Sequence, residues 1–146
     1  TAQQTLDYLQ SLYEKKLATY PRTDSNYITD DMESTAKNLI ESIYGVYEKI
    51  PQTPTDVTKV INNAKVSDHH ALLPTEQITS YDLSSLPTAE YNILFMLAVR
   101  LCVATGDDYV YRTFTCELKS NNSDKPFVSK ATYPVNLGWK FIDIKR

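Results

Sequence analysis

The sequence predicts an α+β fold, mainly helical over residues 1–107, with residues 108–146 forming β strands that return to a neighbouring domain. Two features carry this reading. Before Gly106, apolar residues recur at helical spacing in stretches separated by proline-bearing loops. From Tyr109 the composition turns aromatic and β-branched, as in Tyr109-Val110-Tyr111-Arg112-Thr113-Phe114-Thr115. With 146 residues, 42% of them hydrophobic and 23% charged, the chain can close one good core and has the balance of a soluble globular protein. No internal repeat or low-complexity segment interrupts it.

Thr1 and Gln4 fit a capping box, and Leu6, Leu9, Tyr13 and Leu17 then recur on one helical face. Lys15 and Lys16 suit the last turn of that helix, which should end just before Tyr20 because Pro21 disfavours helical angles at the preceding residue. A second helix is expected after Thr29 as N-cap, with Asp30 and Asp31 in its first turn and Gly45 as its stop. Its buried face would be Met32, Ala36, Leu39, Ile40 and Ile43. Asp56 can cap a short helix using Val57, Val60 and Ile61. Residues 66–75 should be extended, since Leu73 precedes a proline, and a loop over residues 76–87 leads to Thr88 as N-cap. The helix from Ala89 to about Thr105 is apolar on most sides, as expected of a buried central helix. Its one interior charge, Arg100, would need a phosphate or carboxylate close by if buried.

The β portion begins at Tyr109, turns at residues 120–124, and returns from Phe127 to Val135. Residues 138–142 read as a third strand. Charge is uneven along the chain: 8 Lys and Arg face 15 Asp and Glu up to residue 108, against 7 and 3 from residue 109 onward. The net charge of −3 argues against simple electrostatic wrapping of duplex DNA, although the basic C-terminal third could meet a nucleic-acid backbone or simply stay solvated. Cys102 and Cys116 provide neither metal spacing nor a disulfide framework, which points to a reducing cytosol. The longest apolar run, around Ile93 to Val103, is broken by Arg100 and reads as too short to span a membrane. The polar N-terminus does not look like a secretory signal. Starting at Thr1 without methionine, and ending on Lys145-Arg146 straight after a strand-like run, the sequence looks like a segment of a longer protein.

The chemistry concentrates in Thr19-Tyr20-Pro21-Arg22-Thr23-Asp24-Ser25 and in Asp68-His69-His70. A phenol beside an always-charged guanidinium has the parts to attack or hold a phosphate. If both stretches face one cleft, Arg22 and a histidine could bracket the phosphate that Tyr20 attacks, stabilising charge on the transferring oxygens. A free phenol titrates near 10, so Tyr20 needs a base, cation or metal, and no lysine lies within its motif. Each stretch also has a structural reading, as a capping turn and as turn or core histidines. Asp-His-His-Ala further resembles the motif of the DHH phosphoesterases, which hold two metal ions. Asp24, Asp30 and Asp31 are available, but the strand-loop contexts those enzymes need are absent.

Together these motifs resemble type IA DNA topoisomerases, in the form of bacterial topoisomerase III. Leu17 to Ser25 resembles the active-tyrosine motif, Val66 to Thr75 the second motif, Tyr91 to Arg100 the following helix with its arginine, and Leu137-Gly138-Trp139 the later Pro-Gly-Trp. The resemblance implies a winged-helix-like domain III that carries the tyrosine, followed by strands of domain II. It implies that Tyr20 attacks a phosphodiester of single-stranded DNA, forming a 5′-phosphotyrosine bond and releasing a 3′-hydroxyl without ATP, with the parent protein relaxing or decatenating DNA. Arg22 and His69 would act at the scissile phosphate. Thr23, Asp24, Ser25, His70 and Arg100 would contact DNA or support the residues that do.

No metal is expected in these residues. The Mg²⁺ of the family belongs to a Toprim domain, which these residues do not include, together with its acidic triad and catalytic glutamate and lysine. The expected partners are therefore single-stranded DNA and that Toprim domain, with no membrane, in a cytoplasmic and nucleoid-associated setting. Alone, the chain is expected neither to cleave nor to relax DNA. Because the family closes this site against Toprim, Tyr20 and Arg22 are expected to be more exposed here than in the intact protein, and Tyr20 to lie outside this chain's own core. Asn26, where many relatives carry arginine, is expected to weaken one backbone contact. A non-catalytic single-strand-binding module, with tyrosines stacking on bases, is the alternative.

Overall fold

The computed structural model describes residues 1–144, so Lys145 and Arg146 lie outside the described residues. Helix α1 spans Ala2–Glu14 and opens with the expected capping box, Thr1 Oγ1 accepting from the Gln4 amide. It ends five residues before Pro21's neighbour would require. Lys15 is the C-cap and Lys16 takes a left-handed φ of 62°. The Leu17 amide then donates to the Leu12 carbonyl (2.9 Å) and the Lys16 amide to that of Tyr13 (2.8 Å), which is a Schellman closure with lysine where glycine is usual. Leu12 and Leu17 are fully buried beside it, whereas Tyr13 is 42% exposed. The buried face is therefore rotated from the predicted one, and Lys15 and Lys16 lie past the helix rather than in its last turn.

Helix α2 spans Glu33–Val46, after a 3₁₀ turn at Asp30–Met32. Thr29 makes no side-chain cap, and the helix runs through Gly45 to a C-cap at Tyr47, both departures from expectation. Its buried residues, Ala36, Leu39, Ile40 and Ile43, are four of the five the periodicity selects; the fifth, Met32, lies half-buried in the 3₁₀ turn before the helix. Asp56 caps the 3₁₀ turn Val57–Val60 as expected. Its carboxyl is held below the usual range by the hydroxyl and amide of Thr58. Residues 76–87 contain two further 3₁₀ turns, Glu76–Thr79 and Leu83–Ser85, each capped by the residue before it.

Helix α3, Thr88–Thr105, starts one residue earlier than expected, with Pro87 rather than Thr88 at the N-cap. At 18 residues and a mean hydropathy of 1.3 it has the length and apolarity of a membrane span, contrary to expectation. Here it packs as the central core helix, burying Leu94, Ala98, Val99, Leu101 and Cys102 against α1, α2 and the C-terminal helix. Glu90, 6% exposed, accepts from Ser11 Oγ (2.9 Å) and Lys15 Nζ (2.7 Å) and so clamps the end of α1 to the start of α3.

Strands β1 (Val110–Ser120) and β2 (Ser123–Asn136) form an antiparallel hairpin, pairing Arg112 with Tyr133 and Leu118 with Phe127. Every β1 residue is exposed, including Phe114 at 58% and Leu118 at 65%. The expected third strand is instead helix α4, Lys140–Ile144. The Asn136 side chain accepts from the Gly138 amide, Gly138 turns the chain at φ 48°, and the Trp139 amide donates to the Asp107 carbonyl (2.8 Å). A Cβ at Gly138 would meet the Asp107 and Asp108 carbonyl oxygens at 2.4 Å, so only glycine fits this crossing. Ile142 then rejoins the core at 2% exposure. Lys59 Nζ bonds the Gly106 carbonyl (2.7 Å) and the Asp108 carboxylate (3.0 Å) at the same joint.

Two consequences can be measured. Replacing Lys16 by glycine relieves the left-handed strain and should stabilise the chain by about 1 kcal/mol; a lower melting temperature for Lys16→Gly would contradict the Schellman assignment. The second concerns alkaline pH. Burial, with neighbouring Tyr91, pushes the Tyr47 phenol up to about 12, and burial pushes the Cys102 thiol up to about 11. Both groups keep their protons in the fold at a pH where the unfolded chain has lost them, so stability falls from about pH 9 upward. The Tyr47 hydroxyl is also buried without a hydrogen-bond partner. Tyr47→Phe should therefore be neutral or stabilising by about 1 kcal/mol at neutral pH. In denaturant titrations its advantage should widen between about pH 10 and 12, and a pH-independent difference would defeat the assignment.

Candidate active site

The turn at Lys16 sends the chain into extended backbone that pairs with the stretch after the two histidines. The Thr19 amide donates to the Leu73 carbonyl (2.9 Å), the Leu73 amide returns to Thr19 Oγ1 (2.9 Å), and the Thr75 amide donates to the Leu17 carbonyl (3.0 Å). Ala18 and Pro74 form an antiparallel bridge. Further on, the Ala71 amide donates to the Tyr27 carbonyl (2.8 Å), and Ile28 bridges Ile61. Residues 20–26 are thus held at both ends, opposite a bend at residues 67–69.

Tyr20 sits half-buried between two rings. Tyr13 meets it edge-on with centroids 5.5 Å apart, and His69 lies at 4.5 Å with the planes tilted by 44°. The phenol is outside the hydrophobic core and makes no hydrogen bond among the described residues. Arg22 is exposed, and among the described residues no ion pair engages it. It borders a surface depression with Thr23, Asp24, Ser67, Asp68 and His69. His70 is half-buried and bonds the Ala71 carbonyl through Nδ1 at 2.7 Å. A carbonyl only accepts, so Nδ1 is the donor in this contact.

Pro21 and Ser25 instead line a cleft of about 250 Å³ with Leu73, Leu97 and Arg100. Alternation along the extended segment divides the predicted site residues. Arg22 and Asp24 face the His69 side, Pro21 and Ser25 face Arg100, and Thr23 borders both. Arg100 is not the buried charge that the apolar helix suggested. It is exposed at the cleft, with no ion pair among the described residues. The structure gathers Tyr20, Arg22 and His69, and sets Arg100 on the other side of the strand.

The hydroxyls of Thr23 and Ser25 are engaged within the protein. Thr23 Oγ1 donates to the His69 carbonyl (3.0 Å) and accepts from the Ser25 amide (3.1 Å). Ser25 Oγ lies 2.8 Å from the Lys65 carbonyl and accepts from the Tyr27 amide (3.0 Å). Tyr13 is the neighbour that sequence reasoning missed, because it was assigned to the buried face of α1. The signal that would have found it is the early helix stop at Lys16, which a lysine does not announce. Among the described residues no three His, Cys, Asp or Glu side chains gather to hold a metal ion. Asp68-His69-His70 therefore builds no metal centre with Asp24, Asp30 or Asp31, as the phosphoesterase reading requires.

A family model for DNA topoisomerase matches residues 1–146. DNA topoisomerase 3 of Staphylococcus saprophyticus is 40% identical over 95% of the chain, and that of Staphylococcus epidermidis is 38% identical over 94%. DNA topoisomerase 3 of a Staphylococcus aureus strain is 37% identical over 95%. The chain spans 20% of the length of each of these relatives. With a family match over its whole length and the tyrosine, arginine and histidine of the motif gathered at one surface, the chain belongs to the DNA topoisomerase family, as a type IA, topoisomerase III-like member.

Proposed function

We propose that Tyr20 is the nucleophile of a single-strand DNA cleavage and religation reaction performed by the full-length protein, which relaxes or decatenates DNA. The observation that carries this is a half-buried phenol with the His69 ring against it and Arg22 bordering the same depression as His69, with neither the phenol hydrogen-bonded nor the arginine ion-paired among the described residues. The phenol oxygen bonds to phosphorus as the bond from phosphorus to the 3′ oxygen breaks. The phenolic proton passes to an acceptor outside these residues, and the departing oxygen takes up a proton to leave as a 3′-hydroxyl. Reversal of the same exchange reseals the strand, so the energy of the broken bond is kept in the phosphotyrosine and no ATP is consumed.

Arg22, two residues on from Tyr20, stabilises the phosphate as negative charge shifts between its oxygens. His69 stands against the Tyr20 ring and is placed to assist at the same phosphate or its neighbour. Arg100, on the other face of the segment and in no ion pair among the described residues, holds DNA backbone entering along the cleft. Asp24 and His70 border or back this surface and contribute to seating the strand. Thr23 and Ser25 support the motif through their internal hydrogen bonds.

Mg²⁺ is held by a Toprim domain elsewhere in the full-length protein, where it supplies charge stabilisation at the phosphates. That domain closes over Tyr20 and Arg22, and the working enzyme is cytoplasmic and associated with the nucleoid. Residues 1–107 form the tyrosine-bearing domain, and residues 108–146 return toward the adjacent one. The exposed apolar residues of β1 and β2 suit such a continuation.

Tyr20→Phe in the full-length protein should abolish both relaxation and the covalent protein–DNA adduct while leaving single-strand binding within about twofold, because only the attacking oxygen is lost. A persisting adduct would refute Tyr20 as nucleophile. The 146-residue chain alone should form no adduct. It should shift a single-stranded oligonucleotide weakly, and the shift should vanish as salt is raised. A salt-insensitive shift would instead favour base stacking by the tyrosines over contact with phosphates.

A further inference from the structure

Between its two anchored ends, the Tyr20 segment has one hydrogen bond to the bend that carries His69. Thr19 is paired with Leu73 on one side and Tyr27 with Ala71 on the other. In the interval, Thr23 Oγ1 reaches the His69 carbonyl at 3.0 Å. The Ser25 amide donates to Thr23 Oγ1 at 3.1 Å, which orients the hydroxyl hydrogen toward His69. The His69 ring itself is exposed and has no hydrogen-bonding partner among the described residues, so its backbone is what fixes its distance from Tyr20.

We propose that Thr23 is a positioning residue whose hydroxyl latches the His69 backbone and thereby holds the imidazole against the Tyr20 ring. This rests on the reading of Tyr20 as nucleophile and assigns Thr23 a role within the reaction other than touching DNA. A latch of this kind acts only through His69, and it needs a hydroxyl rather than a particular side-chain shape. Valine, which has the shape of threonine without its hydroxyl, leaves both the His69 carbonyl and the Ser25 amide unheld, whereas serine keeps both bonds.

The test is a double-mutant cycle in the full-length protein, reading the rate of covalent adduct formation on a single-stranded oligonucleotide. Thr23→Val should slow the reaction about fivefold, the worth of one ordinary hydrogen bond, and Thr23→Ser should restore the rate. In a His69→Ala background, Thr23→Val should cost nothing further. Equal losses in both backgrounds, or an unchanged rate for Thr23→Val, would overturn the latch. Failure of the underlying reading is separately visible, since it would appear as an adduct that survives Tyr20→Phe. Circular-dichroism melts of each variant distinguish loss of the latch from loss of the fold.

Discussion

The arrangement depends on the short pairing between residues 17–19 and 73–75. Two segments more than fifty residues apart in sequence exchange hydrogen bonds on both sides of Thr19 and Leu73, over buried Leu17, Ala18 and Leu73. The apolar side chains make the pairing cohesive, and the polar backbone groups they would otherwise strand are bonded to one another. The tyrosine leaves this pairing in one direction, and the histidines enter it from the other. Neither motif alone has a reason to be near the other; the pairing places His69 on Tyr20.

The second organising fact is the alternation that follows. Extended backbone sends successive side chains to opposite sides, so a single strand can serve two surfaces. One carries the phenol, Arg22 and His69; the other carries the cleft with Arg100. Two guanidinium groups on opposite sides of one segment, neither in an ion pair among the described residues, suit a ligand with repeated negative charges better than a single small anion. Asp24 and Asp68 border the same depression as Arg22, yet among the described residues neither Arg22 nor Arg100 is engaged in an ion pair.

Much of this was legible in the sequence where the cause is local. The Thr1 capping box, the Asp56 cap, the buried face of α2 and the extended stretch before Pro74 all follow from side chains acting within a few residues. What was not legible depends on contacts between distant segments. Lysine at a left-handed position gives no warning of a helix end, so the face of α1 was read one notch out and Tyr13 was missed as a neighbour of Tyr20. Residues 138–142 have strand-like composition, and only the crossing of Gly138 over Asp107 and Asp108 turns them into a helix. An apolar helix with one arginine does not reveal which side its neighbours leave uncovered, and Arg100 proved to be on the open side. The grouping of Tyr20, Arg22 and His69 was anticipated from chemistry, whereas the hydroxyls of Thr23 and Ser25 turned out to be spent on the protein itself.

The joint at the foot of the hairpin has a mechanical meaning. Both strands enter the helical body at one place, where Lys59 ties down Gly106 and Asp108 and the Trp139 amide ties down Asp107. Beyond it the eleven residues of β1 extend roughly 36 Å at the usual rise per residue. A rod anchored at its base is a lever: a rotation of roughly 10° at the joint sweeps the tip through about 6 Å over that length. Any force applied along the hairpin therefore arrives as torque at Gly106, the residue that closes α3, the helix on which the Arg100 cleft is built.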